Sequence, residues 1–407
     1  MRILYFATHQ MFPLTSGNRV RDYHLARELA KRASVTFVEM YRSDEKPSNP
    51  PTDCTIQNIV SLRRGRDYTL GKIVRGLAGS VPLTVLNYFD TESASQLRDL
   101  LSQRQFDTVQ IEGVHLSQYL PFIQAAPNSP SVIVDWHNVE SELMWRYSEK
   151  QPLGPRRLAA RRTATSLERL ETELLKIAGT HTVVSERERQ KLIKRCPNAR
   201  VEVIPNGVDT DFYSPSQISK ITENVESGGK KRAILFVASM DYHANIDGVT
   251  WFAREIWPEV ATKHPELEFR IVGRNPPPAV RALASERIGV TGTVEDIRPF
   301  YSSAVAVVVP LRIGSGTRLK ILEAMAAGVP VVSTHLGAEG IDATNNIHLL
   351  VADDRSGIIA AIDKITNSPT RNCLVLAARD YVVNHYNWSL FGERLFQLHQ
   401  ESARRQR

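Results

Sequence analysis

Residues 310–332, PLRIGSGTRLKILEAMAAGVPVV, hold the chain's densest set of groups suited to chemistry. An apolar strand ends at Pro310, Gly314-Ser315-Gly316 makes a flexible loop, and a helix is expected from about Thr317 to Ala327. Gly328 suits the position after the helix, with Pro330 beyond it. A glycine-rich loop feeding a helix N-terminus offers free N–H groups and the positive end of the helix dipole, which suit a phosphate. Arg318 and Lys320 add positive charge there. Glu323 lies among Leu319, Leu322, Met325 and Ala326, where an acid is costly unless paired. At about 1.5 Å of rise per residue, Glu323 stands roughly 9–10 Å along the axis from the loop. That is close to the separation of ribose hydroxyls from a β-phosphate, so one element suits both ends of a nucleoside diphosphate.

Other candidates lie in the first half. His137 follows a strand expected over 131–135, and Asp135 is placed to orient it. Ends of parallel strands face the ligand crevice in α/β sheets. Gly17, after the first strand, permits close backbone approach to a ligand. Asp209-Thr210-Asp211 has the form of a metal-binding DxD, but it follows the turn Asn206-Gly207, and cap and turn roles explain it better. There is no HExxH, CxxC or GxSxG, and Gly228-Gly229-Lys230-Lys231 lacks P-loop spacing. No metal is expected.

The elements that must position these groups alternate. Strands are expected over 1–7, 35–39, 107–111, 131–135, 181–184 and 201–204, with amphipathic helices between them. After Pro205-Asn206-Gly207, the polar stretch 214–232 reads as a linker. Alternation restarts with strands over 233–238, 268–272, 288–291, 305–309, 329–333 and 348–351, a helix near 245–263, and a last helix over 388–401. Two such runs imply an α/β protein with two doubly wound, Rossmann-like domains of parallel sheet, facing across a cleft. The expected domains are 1–207, 208–385 and a terminal helical segment, 386–407, crossing back to the first.

The 407 residues suffice for two or three domains. Three scattered cysteines, Cys54, Cys196 and Cys373, argue against a disulfide framework or a thiolate zinc site, and a reducing, cytoplasmic location is the reading. No apolar run approaches the roughly 18 residues of a membrane span. The net charge of +7 is unevenly spread. Residues 1–200 carry 29 Lys+Arg against 21 Asp+Glu, a balance of +8, and residues 201–407 carry 22 against 23, or −1. A helical stretch over 155–177 holds Arg156, Arg157, Arg161, Arg162 and Arg169. The first half is therefore expected to meet something anionic, such as a membrane surface or a phosphorylated substrate. No basic stretch is interleaved with aromatics, which argues against nucleic acid.

The segment Glu323-Ala324-Met325-Ala326 with Gly328, Pro330 and Val331-Val332 resembles the donor-site signature of the retaining GT-B glycosyltransferases of family 4. Ser16-Gly17, Val183-Val184-Ser185-Glu186, Ile204-Pro205-Asn206-Gly207-Val208-Asp209 and residues 290–296, VTGTVED, extend the resemblance over nearly the whole chain. The variant GSGTRLKILEAMAAGVPVVST, with DWHNVES at 135–141, looks most like bacterial transferases of exopolysaccharide and envelope glycans. The resemblance implies a metal-independent enzyme, without cofactor, that moves a sugar from a nucleotide-sugar to an acceptor hydroxyl with retention. The acceptor would be a polysaccharide or lipid-linked glycan. By the match Glu323 would hold the ribose hydroxyls, Val290, Gly292 and Thr293 the base, and Gly314, Ser315, Gly316 and Thr317 the diphosphate and donor sugar. Ser315 stands where many members have a first glutamate, and residues 239–248 lack their Arg and Lys, which shifts weight to Arg318 and Lys320 as phosphate partners. Glu112 matches the acceptor-side position often occupied by His, with His115 three residues on. His137, Ser315, Arg318 and Lys320 are the expected catalytic set. A non-catalytic binding or scaffold protein and a nucleotide-sugar epimerase or hydrolase on the same fold remain open alternatives.

Overall fold

Runs rich in β-branched and aromatic residues form seven strands in the first half: β1 (Arg2–Phe6), β2 (Ser34–Arg42), β3 (Asn58–Arg64), β4 (Thr108–Glu112), β5 (Ser131–Trp136), β6 (Thr180–Val183) and β7 (Val201–Val203). The computed structural model describes residues 1–406 except 53, 224–231, 314–318 and 368–369. All seven pair in parallel in the order β3-β2-β1-β4-β5-β6-β7. A parallel sheet covered by helices on both faces needs continuous apolar strands. Leu4, Phe6, Val109, Ile111 and Val134 are fully buried in its core accordingly. The order reverses between β1 and β4, and ligands of doubly wound sheets bind beyond the strand ends at such a reversal.

The second sheet comprises β8 (Ala233–Val237), β9 (Glu268–Val272), β10 (Ile288–Val290), β11 (Ala304–Val309), β12 (Val331–Ser333) and β13 (Leu350–Val351), also parallel, in the order β10-β9-β8-β11-β12-β13. Its reversal falls between β8 and β11. Contacts divide the chain into two units, Met1–Pro205 with Ser389–Arg407, and Asn206–Trp388. The terminal helix Trp388–Gln406 thus packs mainly on the first unit. Buried His399 on that helix lies 2.8 Å from Thr108 Oγ1 and 3.0 Å from Gln110 Oε1, both on β4. At Gly392 the helix passes so close that an added Cβ would stand 2.1 Å from Glu28 Cβ.

Several expectations are corrected. Strand β3 is not anticipated by the pattern, because NIVSLRR mixes charge with apolar residues at the edge of the sheet. The segment read as linker contains the helix Pro215–Glu223, anchored by buried Ile218. Pairing of β12 starts at Val331 rather than 329, since Pro330 has no N–H to give and only its carbonyl accepts from Val307 N. The helix expected near 245–263 begins at His243 and passes through a wider turn at Phe252–Ile256 just before Pro258.

Candidate active site

In the first unit, three strand ends and one helix bring five ionisable groups together at the β1/β4 reversal. Thr8 and His9 follow β1, Glu112 closes β4, Asp135 and His137 close β5, and Asp22 lies on the helix Gly17–Ala30. Glu112 Oε2 accepts from the backbone N–H and the hydroxyl of Thr8, each at 2.7 Å. Its Oε1 is 3.2 Å from His137 Nδ1 and 3.7 Å from His9 Nε2. His137 Nε2 is 3.2 Å from Asp22 Oδ1 and 3.3 Å from Asp135 Oδ2. Asp135 also takes two bonds from buried Arg21 and one from the Thr182 hydroxyl. The expected orienting partner of His137 is therefore in place, though Arg21 is its stronger tie.

The electrostatics follow from this crowding. Burial lowers His137, but Asp22 and Glu112 overcome it and push the ring well above its ordinary value. The same contest lifts His9 to about 9. Burial raises Glu112, yet His9 and His137 hold it below the usual carboxylate range. Asp135 is likewise raised by burial and more strongly lowered by Arg21. His115 stays apart from this group, its ring 5.0 Å from that of Tyr88. Gly17 opens its helix in an exposed position.

In the second unit, Glu323 lies in the middle of the helix Leu319–Ala326, which follows β11. Its Oε2 accepts from the Tyr301 hydroxyl at 3.4 Å, and Tyr213 bonds the same carboxylate. The two tyrosine rings meet edge to face, 5.9 Å apart. Burial raises the Glu323 carboxyl, with Tyr213, Lys320 and Tyr301 opposing. Burial and the Glu323 charge push the Tyr213 hydroxyl upward in turn. Lys320 Nζ reaches Asn245 Oδ1 at 3.1 Å, and the Asn245 amide donates to the Ser239 carbonyl at 2.7 Å. A cation therefore stands against the 239–248 stretch that lacks its own Arg and Lys. Gly292 has φ +79, a conformation that favours glycine, and its carbonyl accepts from Gly273 N at 3.2 Å. Val290 ends β10, and Thr293 is exposed in the loop after it. Gly314, Ser315, Gly316, Thr317 and Arg318 lie outside the described residues. Asp209 Oδ1 accepts from Phe212 N, the turn role expected of it.

Residues 20–212 match the model described as Glycosyltransferase Family 4, and residues 231–368 match that of Glycosyl transferases group 1. The chain belongs to the family 4 glycosyltransferases of the GT-B fold. This glycosyltransferase is 25% identical over 131 residues to an uncharacterized 44.6 kDa protein in the cps region of Klebsiella pneumoniae, covering 30% of the chain and 34% of that protein. It is 25% identical over 299 residues to a GDP-mannose-dependent alpha-(1-6)-phosphatidylinositol monomannoside mannosyltransferase of Mycolicibacterium smegmatis, covering 65% of the chain and 78% of the relative. The solved sucrose-phosphate synthase of Thermosynechococcus elongatus superposes with a TM-score of 0.73 at 15% identity over 98% of each chain, which speaks to fold alone.

The residues missed by sequence reasoning are Asp22, His9, Tyr213, Tyr301 and Asn245. Asp22 carried one signal, an acid on a helix face that otherwise turns Leu25, Ala26 and Leu29 inward. Tyr213 carried none, since it lies beside the stretch read as linker.

Proposed function

We propose that this glycosyltransferase moves a sugar from a nucleotide-sugar, held by the second unit, to a hydroxyl of an acceptor held by the first. The observation that carries the reading is Glu323, a carboxylate fixed by Tyr213 and Tyr301 on the helix whose N-terminal end follows the β8/β11 reversal, with Lys320 one turn earlier. In this reading Glu323 accepts from the ribose hydroxyls, while Lys320 and the helix N-terminus stabilise the departing diphosphate. Residues 290–293 offer backbone groups to the base. The bond from the anomeric carbon to the phosphate oxygen breaks as the bond to the acceptor oxygen forms on the same face. Attack on that face retains the configuration, the acceptor proton passes to the departing phosphate, and Lys320 with the helix N-terminus takes the place of a metal ion at the diphosphate. The buried His137 and Glu112 shape the acceptor side.

The acceptor is read as a glycan carried on lipid. Among the described residues no helix is long and apolar enough to cross a membrane. The helix Pro155–Ile177 instead displays exposed Arg156, Arg161 and Arg162 around Leu158, which is 72% exposed, with Leu153 just before it at 88%. Basic side chains interleaved with apolar ones suit an anionic bilayer surface. The deciding experiment is turnover of UDP-, GDP- and ADP-sugars with and without glycan acceptors. Transfer that requires acceptor supports the reading. Hydrolysis or epimerisation without acceptor, or binding without turnover, would replace it.

A further inference from the structure

We infer that residues 63–76 form a second docking surface of the first unit, one that inserts apolar side chains into an anionic bilayer. Their helix, Leu70–Ala78, has its polarity reversed for a helix in water. Lys72 and Gly76 face the protein. Lys72 Nζ donates to the carbonyls of Arg66 at 3.2 Å and Asn87 at 3.3 Å. Gly76 lies so close to the helix Leu83–Leu86 that an added Cβ would stand 3.0 Å from Leu83 Cβ. Leu70 and Val74, one turn apart, are 78% and 54% exposed, and Tyr68 just ahead of them is 65% exposed. A helix folded for water alone turns its apolar stripe to the core. The Tyr68 N–H donates to Asn87 Oδ1 at 3.1 Å, so a fixed framework holds the apolar tip outward.

Charge around that tip selects its partner. Residues 63–76 hold five Lys and Arg against one acid, Asp67, which is paired with Arg64. Arg63, Arg66 and Arg75 are exposed. Single apolar side chains on a surface are ordinary, but three within seven residues, ringed by arginines, have the composition of an interfacial helix. Tyrosine suits the boundary between headgroups and water. A bilayer offers anionic headgroups over hydrocarbon, which matches both halves of the patch.

The surface is continuous with the candidate site. The Asn87 carbonyl that holds Lys72 also accepts from Arg64 Nη1 at 3.0 Å. The Arg64 guanidinium lies 4.9 Å from the centre of the Tyr88 ring, which is 5.0 Å from that of His115, three residues beyond Glu112. In the order of the sheet, β3, which leads into this segment, and β5, which precedes the helix Pro155–Ile177, lie on either side of the β1/β4 reversal. Two surfaces flanking the site fix how it faces the lipid, where one would leave it free to tilt. The arginines of the Pro155–Ile177 helix draw the protein to the bilayer, and Tyr68, Leu70 and Val74 insert once it is there. The purpose of the contact rests on the lipid-borne acceptor proposed above, but insertion itself does not.

The test places Leu70→Trp in the full-length protein and follows its fluorescence as a difference from the wild-type chain with its five tryptophans. Vesicles of phosphatidylglycerol and phosphatidylcholine, with and without bromine on the acyl chains, are compared with phosphatidylcholine alone. On anionic vesicles the added emission is expected to shift to the blue and to be quenched by brominated chains. The combined variant Tyr68→Ser, Leu70→Ser, Val74→Ser is expected to weaken partition to anionic vesicles by about tenfold or more. Its melting temperature should not change, because all three side chains are exposed. Vesicle binding in which the added tryptophan is neither shifted nor quenched overturns the inference, as does a triple variant that binds like the wild type. A wild-type dimer that the triple variant dissociates would assign the patch to a second copy of the chain and overturn it too. Insertion without sugar transfer would leave this surface standing and overturn the proposed function; transfer to a soluble acceptor without insertion would do the reverse.

Discussion

Replacing Glu323 separates its charge from its shape. In Glu323→Gln the carbonyl still accepts from Tyr301 and Tyr213, so the helix Leu319–Ala326 keeps its anchor. The negative charge is lost, and one of the two acceptor oxygens becomes an NH2 donor. Hydrogen bonds to a charged group are worth about 1.5–3 kcal/mol and neutral ones about 0.5–1.5, so the swap should cost about 1–1.5 kcal/mol per ribose hydroxyl. Two hydroxyls give about 2–3 kcal/mol, a weakening of roughly thirtyfold to 150-fold. Glu323→Ala removes the acceptor altogether. It should weaken nucleotide binding at least as much, and destabilise the unit by about 1–3 kcal/mol because the buried Tyr301 hydroxyl loses a partner. The assay is calorimetric titration with the nucleoside diphosphate that gives the largest thermal shift among UDP, GDP and ADP. A folded Glu323→Gln protein with an unchanged Kd refutes the ribose assignment, whatever the alanine variant does.

Three further outcomes are expected. Burial lowers His181 to about 4 and His399 to about 3, so both stay neutral in the fold while the unfolded chain takes up protons below about 6.5. The contribution of these two residues is therefore complete above about pH 6.5 and falls by about 2–3 kcal/mol per histidine on descent to about pH 4.5, whereas that of His9, raised to about 9, is lost as pH rises from about 6.5 to about 9. The denaturant midpoint of His399→Gln should fall less in acid than that of the wild type. Gly392→Ala drives a methyl against Glu28 and should lower stability by about 1–3 kcal/mol, seen as a lower melting temperature. Changing Arg156, Arg157, Arg161 and Arg162 to Gln should abolish co-sedimentation with anionic vesicles, a loss of about 4 kcal/mol, without changing nucleotide affinity.

What the sequence reveals and conceals follows from how each feature is encoded. Buried parallel strands such as AVAVVV at β11 announce themselves, because both faces must be apolar. The edge strand β3 and the helix Pro215–Glu223 do not, since the strand buries few of its side chains and the helix rests chiefly on Ile218. Lys320 and Glu323 are legible because one helix spaces them. In the cluster beyond β1, β4 and β5, Glu112, Asp135 and His137 are legible at strand ends, but Asp22 and His9 are not, and neither is their meeting, because the members lie up to 128 positions apart, from His9 to His137. They meet only where the strand order reverses between β1 and β4, and pattern reading does not supply that order. The Tyr213 and Tyr301 contacts with Glu323 are hidden for the same reason.

The two kinds of charge in the first unit do different work. The surplus of +8 in residues 1–200 lies on surfaces such as the Pro155–Ile177 helix, whereas the cluster beyond β1, β4 and β5 gathers three carboxylates, Asp22, Glu112 and Asp135. If, as proposed, the basic surface meets an anionic bilayer, the attraction acts over distances that salt screens, about 10 Å at 0.1 M and 3 Å at 1 M. The buried carboxylates do not welcome a phosphate directly, and Arg21 is already committed to Asp135. The part of the acceptor that enters should then be its sugar hydroxyls, with any lipid phosphate left outside against the basic surface. Raising salt should release the protein from vesicles yet leave transfer to a soluble, phosphate-free acceptor nearly unchanged. If salt suppressed both equally, the basic surface and the acceptor-binding groups would be one electrostatic site, and this division of labour would fail.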